Sequence, residues 1–167
     1  VIMKEIIDKI SEEHINRGVE MLRFAMQTIF YDKNYSIDIE LGDKRTNKQA
    51  EFWLIETRPD GEVIRASFDD GIGGGILAVV GFVLQIFYIG YFKQSKVLFC
   101  DEAFSQVSDQ YIESLMEFIK QLSTKKGYIF VLISHDPRLN VYADYIYQVL
   151  DGNIMEAKVL AGESYDS

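Results

Sequence analysis

Cysteine is almost absent: Cys100 is the only one in 167 residues, so no internal disulfide can staple the chain, and a reducing, cytoplasmic setting is expected. Basic residues are scarce relative to acidic ones. Seventeen Lys and Arg against 26 Asp and Glu give a formal charge of −9, and a nucleic-acid backbone is held non-specifically only by a clustered surplus of positive charge. Broad electrostatic binding of nucleic acid by this segment alone is therefore excluded; DNA contact requires a local patch or a partner. The chain opens without a basic, apolar, small-residue leader, and Val1 reads as a start within a longer protein. Internal repeats and low-complexity tracts are absent too.

What is present is ordinary globular material, 48% apolar and 26% charged, in a length that suits one domain burying roughly two-thirds of its unfolded surface. One segment departs from the average. Ile76 to Phe92 is nearly unbroken in its apolarity, with Gln85 as its clearly polar member, and approaches membrane-spanning length. A helix apolar on every side is equally what the centre of an α/β domain demands, and no membrane is expected.

Residues 3 to 31 predict one long helix: Val19, Leu22, Met26 and Ile29 repeat at three and four, and Ile2, Ile6 and Ile10 extend the stripe upstream. His14 falls beside the stripe and is expected in solvent. Alternating residues over Tyr35 to Glu40 and Glu51 to Glu56 predict a hairpin whose long tip is the polar run Gly42 to Gln49, with a short strand, Val63 to Ser67, after it. From residue 68 onward helices and strands alternate: helix 74–92, strand 97–100, helix 109–124, strand 129–133. That order argues for a parallel sheet with crossovers. Ser108 and Gly127 should cap the second of these helices, and Tyr145 to Leu150 with Ile154 to Lys158 should close a terminal hairpin around Asp151-Gly152-Asn153.

Three short motifs carry chemistry. Lys96-Val97-Leu98-Phe99-Cys100 is an apolar strand ending in the adjacent carboxylates Asp101 and Glu102. Strand ends are where α/β sheets bind ligands; there one acid can hold Mg²⁺ through its water shell while the other orients or deprotonates a water. Tyr128 to Ser134 is a second apolar strand running into His135, whose imidazole could donate to a phosphate or to that water. Asp136-Pro137 then opens a helix. Asp69-Asp70-Gly71-Ile72-Gly73-Gly74-Gly75 precedes the apolar helix, and glycine backbone N–H groups at a helix start suit an anion. The two acids would repel that anion if they faced it, so capping or outward positions are expected for them. A turn, a surface histidine and a hinge are the bland readings of the three motifs.

In this order the motifs resemble the signature motif, Walker B strand and switch histidine of ABC-type ATPases, and Ala103 to Ser108 resembles the D-loop that crosses between two heads. With the long first helix and the antiparallel strands, residues 15 to 156 resemble the C-terminal lobe of an SMC-type head, most closely the SbcC-like DNA-repair branch. The resemblance implies an α/β lobe of a P-loop NTPase, mainly a parallel sheet with flanking helices. It divides the chain into a coiled-coil exit helix (1–31) and the lobe proper (32–167). It also implies ATP and Mg²⁺, with Glu102 and His135 catalytic, Asp101 on the metal, and Gly73, Gly74, Gly75, Ser105 and Ser108 on nucleotide. Two departures stand out: Gly73 replaces the signature hydroxyl and Gly75 or Ile76 its polar residue, and Ser108 lacks the D-loop acid unless Asp109 substitutes.

No Gly-x-x-x-x-Gly-Lys-Ser/Thr occurs anywhere, so this segment cannot wrap the β- and γ-phosphates itself. The resemblance places that loop in an N-terminal lobe of the same polypeptide, brought back by a coiled coil. It implies a second head in an ATP-dependent dimer, DNA contacted by the full complex and a possible nuclease subunit. The alternatives are a structural clamp with little hydrolysis, a transporter-type nucleotide-binding domain, and a metal-dependent hydrolase built on Asp101, Glu102 and Asp136.

Overall fold

The computed structural model describes residues 12–44 and 47–159. Helix α1, Glu12–Ile29, brings Leu22, Ala25, Met26 and Ile29 to zero exposure, the spacing that puts four side chains on one helical stripe. The expected upstream stripe and the coiled-coil exit over residues 1–11 lie outside the described residues. His14 is not a solvated bystander: its ring meets Tyr91 edge-on at 4.7 Å.

Strands β1 (Tyr35–Lys44), β2 (Asn47–Thr57) and β3 (Val63–Ser67) form an antiparallel sheet in the order β1-β2-β3. The ladder continues to the Lys44–Asn47 pair, so the polar run expected to be a long tip is mostly strand. Backbone pairing needs no apolar side chains, so a ladder can run on through a polar stretch whose sequence shows no alternation.

Helix α2, Gly74–Tyr91, buries Val79, Val80, Phe82, Val83 and Ile86, which share one core with α1 and the strands. It is long and apolar enough to cross a membrane, yet this buried face packs as a core helix does. Leu77 remains 40% exposed, so burial on every side, expected from its composition, is not realised. The same one-sidedness marks the parallel pair β4 (Val97–Asp101) and β5 (Ile129–Ile133). Leu98 and Cys100 face the core, whereas Val97, Phe99, Ile129, Val131 and Ile133 are exposed. A parallel sheet is ordinarily covered on both faces; the described residues supply one layer.

Helix α3, Asp109–Lys126, crosses between these strands and buries Tyr111, Ile112, Leu115, Met116, Phe118 and Ile119. Gly127 ends it at φ 71°, its N–H bonding to Leu122 and Ser123 carbonyls, the left-handed stop that glycine favours. Ser108 is extended at the other end but makes no side-chain cap bond. Strands β6 (Tyr145–Leu150) and β7 (Asn153–Val159) form the terminal hairpin, turning through Asp151 and Gly152 at φ 47° and 77°, as a two-residue primed turn requires.

Candidate active site at the ends of the parallel strands

Asp101 ends β4 in register with Ile133 at the end of β5. Glu102 then leaves the sheet at φ 46°, a left-handed backbone that costs a side-chain-bearing residue about 1–2 kcal/mol. Three hydrogen bonds hold it there. The Glu102 N–H donates to the Ile133 carbonyl at 2.9 Å, and the Ser105 N–H and Oγ donate to the Glu102 carbonyl at 3.2 and 2.9 Å. The turn sends the Glu102 carboxylate across to the neighbouring strand, where Oε1 lies 2.8 Å from His135 Nδ1 and accepts the His135 backbone N–H at 3.2 Å. The Glu102 side chain is one-third exposed and the imidazole is 90% exposed. The pair lines a cavity of about 260 Å³ together with Cys100, Phe104, Ser105 and Arg138. Burial pushes the Cys100 thiol up, which keeps it protonated and unreactive.

Arg138, which the motif reading passed over, organises the segment after His135. Asp136 caps the 3-10 helix Pro137–Tyr142 by accepting the Arg138 N–H. The Arg138 guanidinium returns to the same carboxylate, with Nε at 2.9 and 3.0 Å from its two oxygens and Nη2 at 2.6 Å from Oδ2. Its Nη1 pairs with Asp109, the first residue of α3. Hydrogen bonds from Arg138 hold the Asp136 carboxyl below its ordinary range. Asp136 is thus committed to Arg138, which weighs against the three-acid hydrolase. Among the described residues no group of three or more acids, histidines or cysteines gathers as a metal site.

The glycine segment lies against the loop after Glu102. Ser67 caps the 3-10 helix Phe68–Asp70 by accepting the Asp69 N–H, and Asp69 and Asp70 are exposed. Gly73 is the N-cap of α2, its carbonyl accepting from Ile76 at 3.0 Å and Leu77 at 3.2 Å. A Cβ on Gly74 would fall 1.5 Å from Gln106 Oε1, and one on Gly75 only 2.7 Å from the Gln106 carbonyl oxygen. Gly75 is therefore required for packing, because the atoms it approaches are backbone, whereas at Gly74 the obstacle is the end of the Gln106 side chain. Ser105 is used in the Glu102 turn, and Ser108 is the N-cap residue immediately before α3. The structure thus brings Glu102, His135 and Ser105 together at two neighbouring strand ends, with Asp101 adjacent, and sets Gly74 and Gly75 beside the loop that leads from them to α3.

No family model matches the sequence, and no curated protein matches it either. Solved structures do. A structure from work on ATP-driven dimerisation and DNA-stimulated activation of SMC ATPases aligns over 89% of this chain and 91% of its own, with TM-score 0.60 and 17% identity. The Smc head domain with coiled coil and joint from Pyrococcus yayanosii aligns over 87% of this chain, TM-score 0.62 at 17% identity, and an ATP-binding cassette bound to ADP and Pi over 92%, TM-score 0.56 at 16% identity. This chain spans 27% and 50% of the latter two. The fold is that of SMC and ABC ATPase head structures.

Proposed function

We propose that the chain is the catalytic C-terminal lobe of an ATP-hydrolysing head that dimerises on ATP. The observation that carries this reading is the 2.8 Å contact between Glu102 and His135 across two adjacent parallel strand ends. Glu102 acts as general base toward a water, with Oε2 taking the proton because Oε1 is engaged by His135. The imidazole, donating through Nδ1, keeps that carboxylate in place, and Nε2, the acceptor nitrogen of the neutral ring, is left to accept a hydrogen bond from the water.

The donor set fits half of a nucleotide site. Asp101, exposed at the end of β4, suits the water shell of Mg²⁺, which supplies charge neutralisation between phosphates when bound. The lysine loop that grips the phosphates must come from the N-terminal lobe. Gly73 to Gly75 reach the nucleotide of an opposing head through backbone N–H groups, and Ser105 and Ser108 flank the crossing between heads. The finer placement is an SbcC-like cytoplasmic protein, its residues 1–31 leading out of a coiled coil, that couples hydrolysis to DNA repair or DNA organisation with a nuclease partner. Replacement of the signature hydroxyl by Gly73 favours a second reading, a nucleotide-dependent clamp with negligible turnover.

The test is Glu102→Gln in the complete polypeptide. A positioned base contributes about 10²- to 10⁴-fold, so turnover should fall by that factor while ATP-dependent dimers persist in size-exclusion chromatography. Turnover equal to wild type removes Glu102 from the mechanism, and negligible turnover in the parent protein selects the clamp.

A further inference from the structure

We propose that Arg138 is a positioning residue that holds the His135 imidazole on Glu102 by tying the segment after the histidine to the start of α3. The inference rests on the hydrolytic reading of this site. An imidazole that is 90% exposed has little packing to hold it, so its placement depends on the backbone that carries it and on the Glu102 carboxylate. That backbone is held from both sides. Upstream, β5 fixes Ile133, whose carbonyl accepts from Glu102. Immediately downstream, Ser134 Oγ accepts the Asp136 N–H at 3.2 Å, and Asp136 is gripped by Arg138 through its backbone N–H and two guanidinium nitrogens.

Arg138 adds what Asp136 cannot, a link out of the local turn. Its Nη1 reaches Asp109, the first residue after the loop running from Glu102 to α3. The loop that follows the base and the loop that follows the histidine are thereby joined by one planar cation. A guanidinium can serve two carboxylates in fixed directions, whereas an ammonium is a single point charge. Exposed ion pairs contribute little to stability, and Arg138 and Asp109 side chains are 47% and 87% exposed. The value of this link is therefore geometric, and its loss should register in the chemical step before it registers in folding.

The experiment compares Arg138→Ala, Arg138→Lys and Asp109→Asn in the complete polypeptide, with Glu102→Gln alongside. Expected for Arg138→Ala is a fall in kcat of about tenfold or more, with KM for ATP within twofold and an unchanged melting temperature. Arg138→Lys should recover only part of the loss, and Asp109→Asn, which leaves the Asp136 cap intact, should reproduce much of it. In nucleotide-free protein the His135 imidazole proton resonances, assigned by His135→Ala, should shift in Arg138→Ala. Turnover within twofold of wild type in both Arg138 variants, with Glu102→Gln stalled, overturns the positioning role alone. Wild-type turnover in Glu102→Gln overturns the underlying site instead. Should Arg138→Ala unfold, Asp109→Asn decides: a lowered kcat with unmoved KM supports the link, and unchanged kcat with an unmoved His135 resonance refutes it.

Discussion

At the residue scale, the glycines before α2 show how two demands converge on one position. A Cβ at Gly75 would press on the Gln106 carbonyl and, at 3.1 Å, on the Val107 Cα, both backbone atoms that cannot swing aside. At Gly74 the encounter is with the end of the Gln106 side chain, which can. Gly75→Ala should therefore lower unfolding stability by about 1–3 kcal/mol, and Gly74→Ala by less, because the helix preference of alanine, worth up to about 1 kcal/mol, offsets the displacement. Urea denaturation of the two variants checks the order; equal losses would place the strain elsewhere. The glycine run was legible in the sequence as a close-approach segment, but the surface approached, Gln106 and Val107, was not, because neither is near it in the chain. Arg138 escaped for the same reason. Its meaning comes from Asp109, which becomes its neighbour only after α3 and β5 have formed.

At the element scale, hydropathy period carried most of the architecture. The stripe from Leu22 to Ile29 and the alternation that opens β1 and recurs in β2 emerge where predicted, since each reflects burial on one side. The period is silent where backbone pairing alone extends a strand, as where the β1–β2 ladder runs on to Lys44 and Asn47, and it does not show that the apolar strands β4 and β5 are covered on one face among the described residues. One joint between elements invites a direct test. The Tyr111 hydroxyl on α3 donates to Asp32 Oδ1, just beyond α1, at 2.7 Å. Burial, then this hydrogen bond, pushes its pKa up to about 12. Between the ordinary tyrosine value near 10 and 12 the unfolded chain has lost this proton and the folded chain retains it, so stability falls as pH rises through that window. Tyrosinate absorbance should show a group titrating near 12 that Tyr111→Phe removes. The same variant should flatten the loss of stability with alkali and cost about 1 kcal/mol at neutral pH.

At the scale of the whole molecule, the exposed apolar side chains are the observation that the fold leaves unbalanced. Phe99, Ile129 and Ile133 are 71%, 60% and 52% exposed on the uncovered face of the parallel pair, and contiguous apolar surface of this kind marks an interaction site. On the reading proposed above, the lobe that brings the phosphate loop packs here, placing its nucleotide beside the strand ends that carry Asp101, Glu102 and His135. Burying one large apolar side chain contributes about 1.5–3 kcal/mol, which is about a 10- to 100-fold change in association. Phe99→Ser combined with Ile129→Thr should therefore leave the unfolding stability of this 167-residue chain within about 1 kcal/mol, since neither side chain is buried in it. The same double variant should weaken assembly with the separately expressed N-terminal lobe at least tenfold, read by co-elution and sedimentation. Assembly at wild-type affinity would mean that the two lobes meet on another surface. In that case the strand ends would no longer be placed against the triphosphate, and a water held by Glu102 would have no phosphate to attack.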